Sequence, residues 1–157
     1  MVAGEELRRL LRNLPAAVAV VTVDVEGERL GLTVASFVAL SLDPPLVGVA
    51  VSRHAALHEL LRGADAFAVN LLAGGQERLA QHFARGVPPI GLWEGISTRL
   101  GASGAPLLED AFGWIECRPS AEHATGDHTF FVGDVIEAQL GEPSEPLLYV
   151  RQGYTSL

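Results

Sequence analysis

The chain has 157 residues, 48% of them hydrophobic and 19% charged, which suits one folded domain and is the opposite of a disordered composition. Acidic residues outnumber basic ones by 19 to 11, and the formal net charge of -8 argues against nucleic acid as a main partner. Every basic residue is an arginine. The absence of lysine excludes enzymes that need a Schiff-base lysine or a phosphate-loop lysine.

Cysteine content and hydropathy predict the cellular compartment of the protein. Cys117 is the only cysteine, so neither an internal disulfide nor a cysteine-rich zinc site can form. Residues 1–12 carry charges and lack the apolar core of a signal peptide, and no apolar run is long enough to span a bilayer. We therefore expect a cytoplasmic protein whose residues 1–157 form a single domain.

The first predicted element is a short amphipathic helix that ends before Pro15. Its apolar residues follow the i, i+3, i+4, i+7 spacing of one helix face. They are Leu7, Leu10, Leu11 and Leu14. The spacing predicts that this face lies on the body of the domain.

Valine-rich runs and turn residues predict the strands that follow. The predicted strands are residues 17–25, 29–34, 46–51, 66–72, 111–118, 128–139 and 147–150. Helices are predicted at 56–62 and 76–84, and the glycine- and proline-rich stretch 85–106 is predicted to be a long loop. Short strands joined by tight turns favour an antiparallel barrel or sandwich with helices at its ends over a doubly wound sheet.

Several familiar catalytic patterns are missing from the sequence. No Gly-x-Gly-x-x-Gly follows a strand, and neither a nucleophile elbow nor a zinc-protease signature is present. His54 and His58 are four residues apart, but they lack a third ligand at a usual spacing, so a solvated or packed pair is favoured. His123 and His128 flank a turn, but two histidines alone are likewise weak evidence for a metal site. No metal site is predicted.

Three segments could take part in ligand binding or catalysis. The first is Gly31–Phe37, which continues into Ser41-Leu42-Asp43-Pro44-Pro45. Its small and hydroxylated residues leave backbone N–H groups that could bind the polar edge of a flat heteroaromatic ligand. A strand end with hydroxyl-stabilised turns is the alternative.

The second segment is Ser52-Arg53-His54, between a strand and a helix. A hydroxyl, a guanidinium and free amides there could bind a phosphate. Alternatively, Ser52 caps the helix and Arg53 is solvated.

The third segment is Gly126-Asp127-His128, followed by Gly133. Asp127 could orient the imidazole so that its other nitrogen faces a ligand, and Gly133 allows close approach of backbone or ligand. An ordinary hairpin turn followed by a strand histidine is the alternative.

In this order and spacing, the three segments resemble the flavin reductase family with an FMN-binding split barrel. These proteins are the small reductase components of two-component flavin monooxygenases. The likeness extends from about Leu7 to Tyr154. It implies a mainly β fold with flanking helices, an antiparallel split β-barrel of Greek-key type, that works as a homodimer.

The resemblance also implies the activity. Hydride would pass from NADH or NADPH to FMN or FAD, and the reduced flavin would leave for a partner monooxygenase. Two alternatives from other classes remain, a non-catalytic FMN-binding redox module and an FMN-dependent oxidase on the same barrel.

The resemblance carries over to particular residues of this chain. His128 would be the catalytic residue that positions the nicotinamide. The implied cofactor-binding residues are Thr33, Val34, Ala35, Ser36, Phe37, Ser52, Arg53, His54, Phe83, Ala84, Arg85, Asp127 and Tyr154. In a chain without lysine, the phosphate site is predicted to rest on Arg53, Arg85 and backbone amides. Family members often carry a polar residue where this chain has Ala35, which raises the alternative that flavin is a diffusing substrate.

Overall fold

A computed structural model of the protein describes residues 1–85 and 89–157. The helices are α1 (Gly4–Leu11), α2 (Ala56–Arg62), α3 (Glu77–Ala84) and α4 (Pro89–Leu92). The strands are β1 (Ala16–Ala17), β2 (Ala19–Val25), β3 (Glu28–Val34), β4 (Val38–Leu42), β5 (Pro45–Ser52), β6 (Phe67–Leu71), β7 (Thr98–Leu100), β8 (Pro106–Leu108), β9 (Gly113–Thr125), β10 (His128–Leu140), β11 (Leu147–Val150) and β12 (Gly153–Ser156). Within the described ranges, no helix is long and apolar enough to cross a membrane.

The fold is mainly β, with antiparallel sheets, as the sequence predicts. The largest sheet has seven strands in the order β3-β2-β6-β9-β10-β5-β4. This order is linear, so the sheet is open, with β3 and β4 at its two ends. Smaller sheets have the orders β1-β11-β12 and β7-β8.

The predicted hairpin of β2 and β3 is confirmed, and its turn has a clear local cause. Glu26 and Gly27 both adopt positive φ angles, 53° and 86°, as a two-residue turn matched to the twist of a hairpin requires. The backbone N–H of Gly27 donates to the Asp24 carboxylate at 2.9 Å, which stabilises the turn. The residues that direct this hairpin are all local, which is why the sequence predicts it well.

Other elements differ from the sequence prediction. Strands β4 and β12 were not predicted, and β9 continues to Thr125, well beyond the predicted end at residue 118. Most residues of β4 and of the far half of β9 are exposed. The far half of β9 lacks the alternation that marks a strand, whereas β4 has it in Val38, Leu40 and Leu42 and the prediction missed that signal. The prediction of a loop over 85–106 is wrong where α4 and β7 form, and residues 86–88 of that stretch lie outside the described residues.

The prediction that α1 lies with its apolar face on the body is also wrong. No residue of α1 is buried, and the four leucines in and after it remain 47% to 68% exposed. The body holds the chain just beyond the helix, where the N–H of Arg151 donates to the carbonyl of Arg12 at 2.6 Å. The side chain of Arg151 also donates to the Asn13 side chain at 3.0 Å.

A buried polar cluster joins the strands of the core. The Asn70 side chain donates to the Val20 carbonyl at 2.9 Å and to the Thr22 hydroxyl at 3.0 Å. The N–H of Leu108 donates to the Asn70 side-chain oxygen at 2.8 Å. Because Asn70 and Thr22 are completely buried, these bonds satisfy polar groups that water cannot reach, and they fix β8 against β2 and β6.

Gly133 is required by core packing. A Cβ atom at Gly133 would lie 2.7 Å from the Cβ of Cys117 and 2.7 Å from the ring of Phe67. Cys117 is itself fully buried, and burial raises the pKa of its thiol to about 12, so it acts as a small core residue. The close approach that the sequence suggests at Gly133 is therefore made by the core, with no ligand needed to explain it.

We predict that Gly133→Ala destabilises the protein, because the new methyl group overpacks the contact between β9 and β10. The free energy of unfolding should fall by about 1–3 kcal/mol in urea denaturation. Gly63→Ala is the matched control, since the nearest atom to its new Cβ is 3.9 Å away. Equal stability of Gly133→Ala and Gly63→Ala would contradict this account of Gly133.

Candidate functional site

The second and third predicted segments meet at one end of the large sheet. His128, the first residue of β10, pairs with Ser52, the last residue of β5. Just beyond this pair, the N–H of Arg53 donates to the carbonyl of Asp127 at 3.0 Å. Ser52 and Asp127 are 75 positions apart in the sequence. The two segments that contain them are nevertheless hydrogen-bonded neighbours in the fold.

The first predicted segment is attached to the same place by one side chain. The Ser36 hydroxyl donates to the carbonyl of Ala50 at 2.7 Å and accepts a hydrogen bond from the N–H of Ala50 at 3.1 Å. Ala50 pairs with Phe130 of β10 through the other edge of β5. Ser36 thus takes the position of a missing strand neighbour, and it draws the 35–37 connection against the strand that leads to Ser52.

A cleft of about 610 Å³ opens at this end of the sheet, and "the cleft" refers to it below. One wall carries Ala35, Asp127, His128 and Tyr149. A second part of the wall is one face of α1 and the residues after it. These are Gly4, Leu7, Arg8, Leu11, Arg12 and Leu14. The cleft therefore combines leucine side chains, two guanidinium groups and one imidazole.

His128 and Asp127 form a hydrogen-bonded pair on the rim of the cleft. Nδ1 of His128 lies 2.7 Å from the Asp127 carboxylate, and the pKa of Asp127 is lowered, first by this hydrogen bond and then by the charge of His128. An ionised carboxylate can only accept a hydrogen bond, so it holds the proton on Nδ1. Nε2 has no hydrogen-bond partner among the described residues, which leaves it available to a ligand.

Thr33, Val34 and Phe37 present little side-chain chemistry. The Thr33 hydroxyl donates to the carbonyl of Ala80 in α3 at 2.6 Å, and the Val34 side chain is buried in the core. The Phe37 ring is partly buried against the same core. Any ligand contact in this stretch would therefore use main-chain atoms, with Ala35 the exposed member that lines the cleft.

Ser52, Arg53 and His54 form the turn from β5 into α2. The Ser52 hydroxyl accepts a hydrogen bond from the N–H of His54 at 3.2 Å, and both following side chains are exposed. Neither Arg53 nor His54 is among the described residues that line the cleft. His58, by contrast, is a packed histidine, with Nε2 2.7 Å from the buried Thr129 hydroxyl.

Phe83, Ala84 and Arg85 lie at the end of α3, beside β3. The Phe83 ring is only 1% exposed, and a Cβ atom on Gly31 would lie 2.7 Å from it, so Gly31 makes room for this ring. Trp93 packs on Phe83 from the other side, with 5.3 Å between the ring centroids. Ala84 and Arg85 are exposed and lie outside the wall of the cleft described above.

Tyr154 lies behind the cleft. Its ring centroid is 5.0 Å from that of Tyr149, with the two planes inclined by 60°. Burial, and then the neighbouring Tyr149, raise the pKa of Tyr154, so its hydroxyl is protonated at neutral pH. Tyr149, which the sequence prediction missed, is the member of the pair that lines the cleft.

Sequence reasoning also missed the contribution of α1. Its arginines and leucines form a wall of the cleft, although the same spacing is typical of any helix packed on a core. No signal in the sequence separates those two outcomes, because the choice depends on what lies opposite the helix. Among the described residues, no group of three or more histidine, cysteine, aspartate or glutamate side chains could hold a metal ion.

Together, the antiparallel sheets and the cleft define a class of mainly β protein whose cleft is lined by leucine, arginine and histidine residues. Comparisons with known proteins make this class specific. The family model described as "Flavin reductase like domain" matches residues 11–157. The chain belongs to this flavin reductase family.

Two relatives and one solved structure illustrate the similarity. The reductase component of 4-hydroxyphenylacetate 3-monooxygenase from Thermus thermophilus is 40% identical over 153 residues, covering 98% of this chain and 96% of that protein. An NADH-dependent FAD reductase from Streptomyces globisporus is 40% identical over 147 residues, covering 92% of this chain and 80% of that protein. The structure of the Streptomyces globisporus NADH:FAD oxidoreductase SgcE6 with NAD and FAD fragments matches with a TM-score of 0.92 and 36% identity, covering 99% and 94% of the two chains.

We predict that Ser36→Ala weakens this end of the sheet, because it leaves the N–H and carbonyl of Ala50 without their partner. The free energy of unfolding should fall by about 1–2 kcal/mol, and amide hydrogen exchange at Ala50 should accelerate. Ser120→Ala is the matched control, since the exposed Ser120 hydroxyl makes no hydrogen bond within the described part of the chain. Unchanged exchange at Ala50 would show that the Ser36 hydroxyl does not hold the 35–37 connection.

Proposed function

We propose that this protein is an NAD(P)H:flavin oxidoreductase that supplies reduced flavin to a partner monooxygenase. The observation that carries the proposal is that Ala35 of the first segment and Asp127 and His128 of the third line one cleft, with the aspartate-oriented imidazole on its rim. Membership of the flavin reductase family and the activities of the relatives support it.

The residues of the cleft suit a flavin ring beside a nicotinamide ring. Leucine side chains cover the faces of flat rings, and main-chain groups of residues 33–36 are suited to the polar N5 and O4 edge of a flavin. Phe37, Phe83 and Ala84 are proposed to contribute to the flavin site from outside the wall of the cleft, and Tyr154 packs on Tyr149, which lines it. Ser52, Arg53, His54 and Arg85 are proposed to contribute to phosphate binding from the adjoining turns.

The protein needs to contribute little acid–base chemistry. When both nucleotides are bound, hydride passes from nicotinamide C4 to flavin N5 with two electrons, and solvent supplies the remaining proton. Asp127 holds the His128 imidazole, and Nε2 of that ring orients the nicotinamide. The two walls of the cleft exclude water and bring the reacting rings together, which is the main source of rate acceleration in such a reaction.

The proposal extends to flavin exchange and to the state of the protein. Ala35 lies exposed in the cleft and offers a ligand no side-chain hydrogen bond, which supports flavin as an exchanging substrate.

We propose one domain over residues 1–157, a split β-barrel of Greek-key type, and a cytoplasmic homodimer. The dimer is supported by exposed apolar side chains on α1 and β4. They include Leu7, Leu10, Leu11, Leu14, Val38, Leu40 and Leu42.

The proposal predicts catalysed oxidation of NADH or NADPH when FMN, FAD or riboflavin is added, measured as loss of dihydronicotinamide absorbance. His128→Ala should raise the KM for the nicotinamide about tenfold, the effect of losing one ligand hydrogen bond, and change flavin affinity much less. The matched control is His123→Ala, since His123 is exposed on β9 away from the cleft.

Three results would contradict the proposal. Rates equal to the flavin-only blank with both nucleotides would exclude the reductase activity. A bound flavin that NAD(P)H fails to bleach without oxygen would indicate a binding module, and oxygen consumption without nicotinamide would indicate an oxidase. Equal losses of flavin and nicotinamide affinity in His128→Ala would contradict the role of His128.

A further inference from the structure

The charge of the chain poses a problem for any nucleotide ligand. The formal net charge is -8, so a phosphate-bearing ligand is repelled by the protein as a whole and needs local positive potential in its site. The sequence predicts that Arg53 and Arg85 supply it. In the structure, however, the arginines that line the cleft among the described residues are Arg8 and Arg12 of the α1 wall.

Arg8 and Arg12 are placed to act together. They are four residues apart, so they lie one turn from each other on the same face of the helix segment, next to Leu11. The body of the protein fixes this segment through the hydrogen bond from Arg151 to the carbonyl of Arg12. Arg8 and Arg12 therefore line the cleft with His128 from a segment whose backbone is anchored to the body.

Neither guanidinium is held tightly by a protein partner. Both face the Glu5 carboxylate, at 3.6 Å from Arg8 and 3.7 Å from Arg12, beyond the length of a good hydrogen bond. The Glu5 side chain is 52% exposed, and ion pairs that open to water are weak. A phosphate group can accept two parallel N–H donors of one guanidinium through two of its oxygens, so it competes well against a single shared carboxylate.

We propose that Arg8 and Arg12 bind the phosphate of the nucleotide whose ring lies beside His128. This inference rests on the proposed reductase function and adds an anion contact on α1 to the phosphate binding proposed at the Arg53 turn. The leucines of α1 cover the apolar part of the ligand, and the two guanidinium groups hold its charged part. The phosphate could be the phosphomonoester of FMN or the pyrophosphate of a dinucleotide, since both present anionic phosphate oxygens to the arginines.

The test compares Arg8→Ala, Arg12→Ala and the double variant with Arg9→Ala. Arg9 lies on the same helix and its removal changes the net charge equally, but it does not line the cleft. Flavin affinity is measured by fluorescence quenching with FMN and with phosphate-free riboflavin. Turnover is measured with NADH and with 1-benzyl-1,4-dihydronicotinamide, a hydride donor without phosphate.

Each cleft variant should lose about tenfold in affinity for the phosphate-bearing ligand, as expected for one hydrogen bond to a charged group, while Arg9→Ala stays near wild type. If the variants lose affinity for FMN but not for riboflavin, the arginines bind the flavin phosphate. If the KM rises for NADH but not for the benzyl donor, the arginines bind the dinucleotide phosphates. The affected ligand should also bind less tightly to wild type as salt rises, because salt screens the arginines.

Equal behaviour of Arg8→Ala, Arg12→Ala and Arg9→Ala would overturn the inference, as would equal losses for ligands with and without phosphate. These outcomes are distinct from failure of the proposed function. An inactive wild type contradicts the reductase activity. The comparison of FMN with riboflavin measures binding alone, so it tests the role of the arginines independently of turnover.

Discussion

The candidate site depends on the Ser36 hydroxyl, which makes the two hydrogen bonds to β5 that a neighbouring strand would otherwise make. β3 and β4 occupy opposite ends of the open sheet, and the short connection between them must pass beside β5. There, Ser36 satisfies both main-chain groups of Ala50, which would otherwise face the connection without a partner. This contact sets Ala35 in the wall of the cleft, and β5 and β10 then bring Asp127 and His128 to the same wall.

The arrangement explains why a chain without a catalytic triad or a lysine can still belong to a family of redox enzymes. When the ligands carry the reactive atoms, the protein has to hold two rings in contact and keep water away. The residues of the cleft are suited to that task. One imidazole is fixed in its tautomer by a carboxylate, the leucine wall is apolar, and two arginines line the cleft of a protein that is negative overall.

Sequence reasoning succeeded where the determinants are local. The turn at Glu26 and Gly27 and the helix α2 follow from residues within a few positions, and the structure has both. It failed for β4, where it overlooked the alternation of Val38, Leu40 and Leu42 in a short exposed strand, and for α1, whose apolar spacing does not reveal what lies opposite. The order of the motifs identified the family correctly. The choice between Arg53 and Arg8 as cleft residues depends on tertiary placement, which no spacing encodes.

The claim that the cleft holds both rings together is tested most directly by anaerobic single-turnover mixing of the protein and flavin with NADH. We predict bleaching of the flavin visible absorbance that saturates with NADH and slows when the transferred C4 hydrogen is deuterium. Saturation would show that both ligands bind before reaction, and the isotope effect would show direct hydride transfer. Bleaching that rises linearly with NADH, at the rate seen for flavin and NADH without protein, would contradict the account.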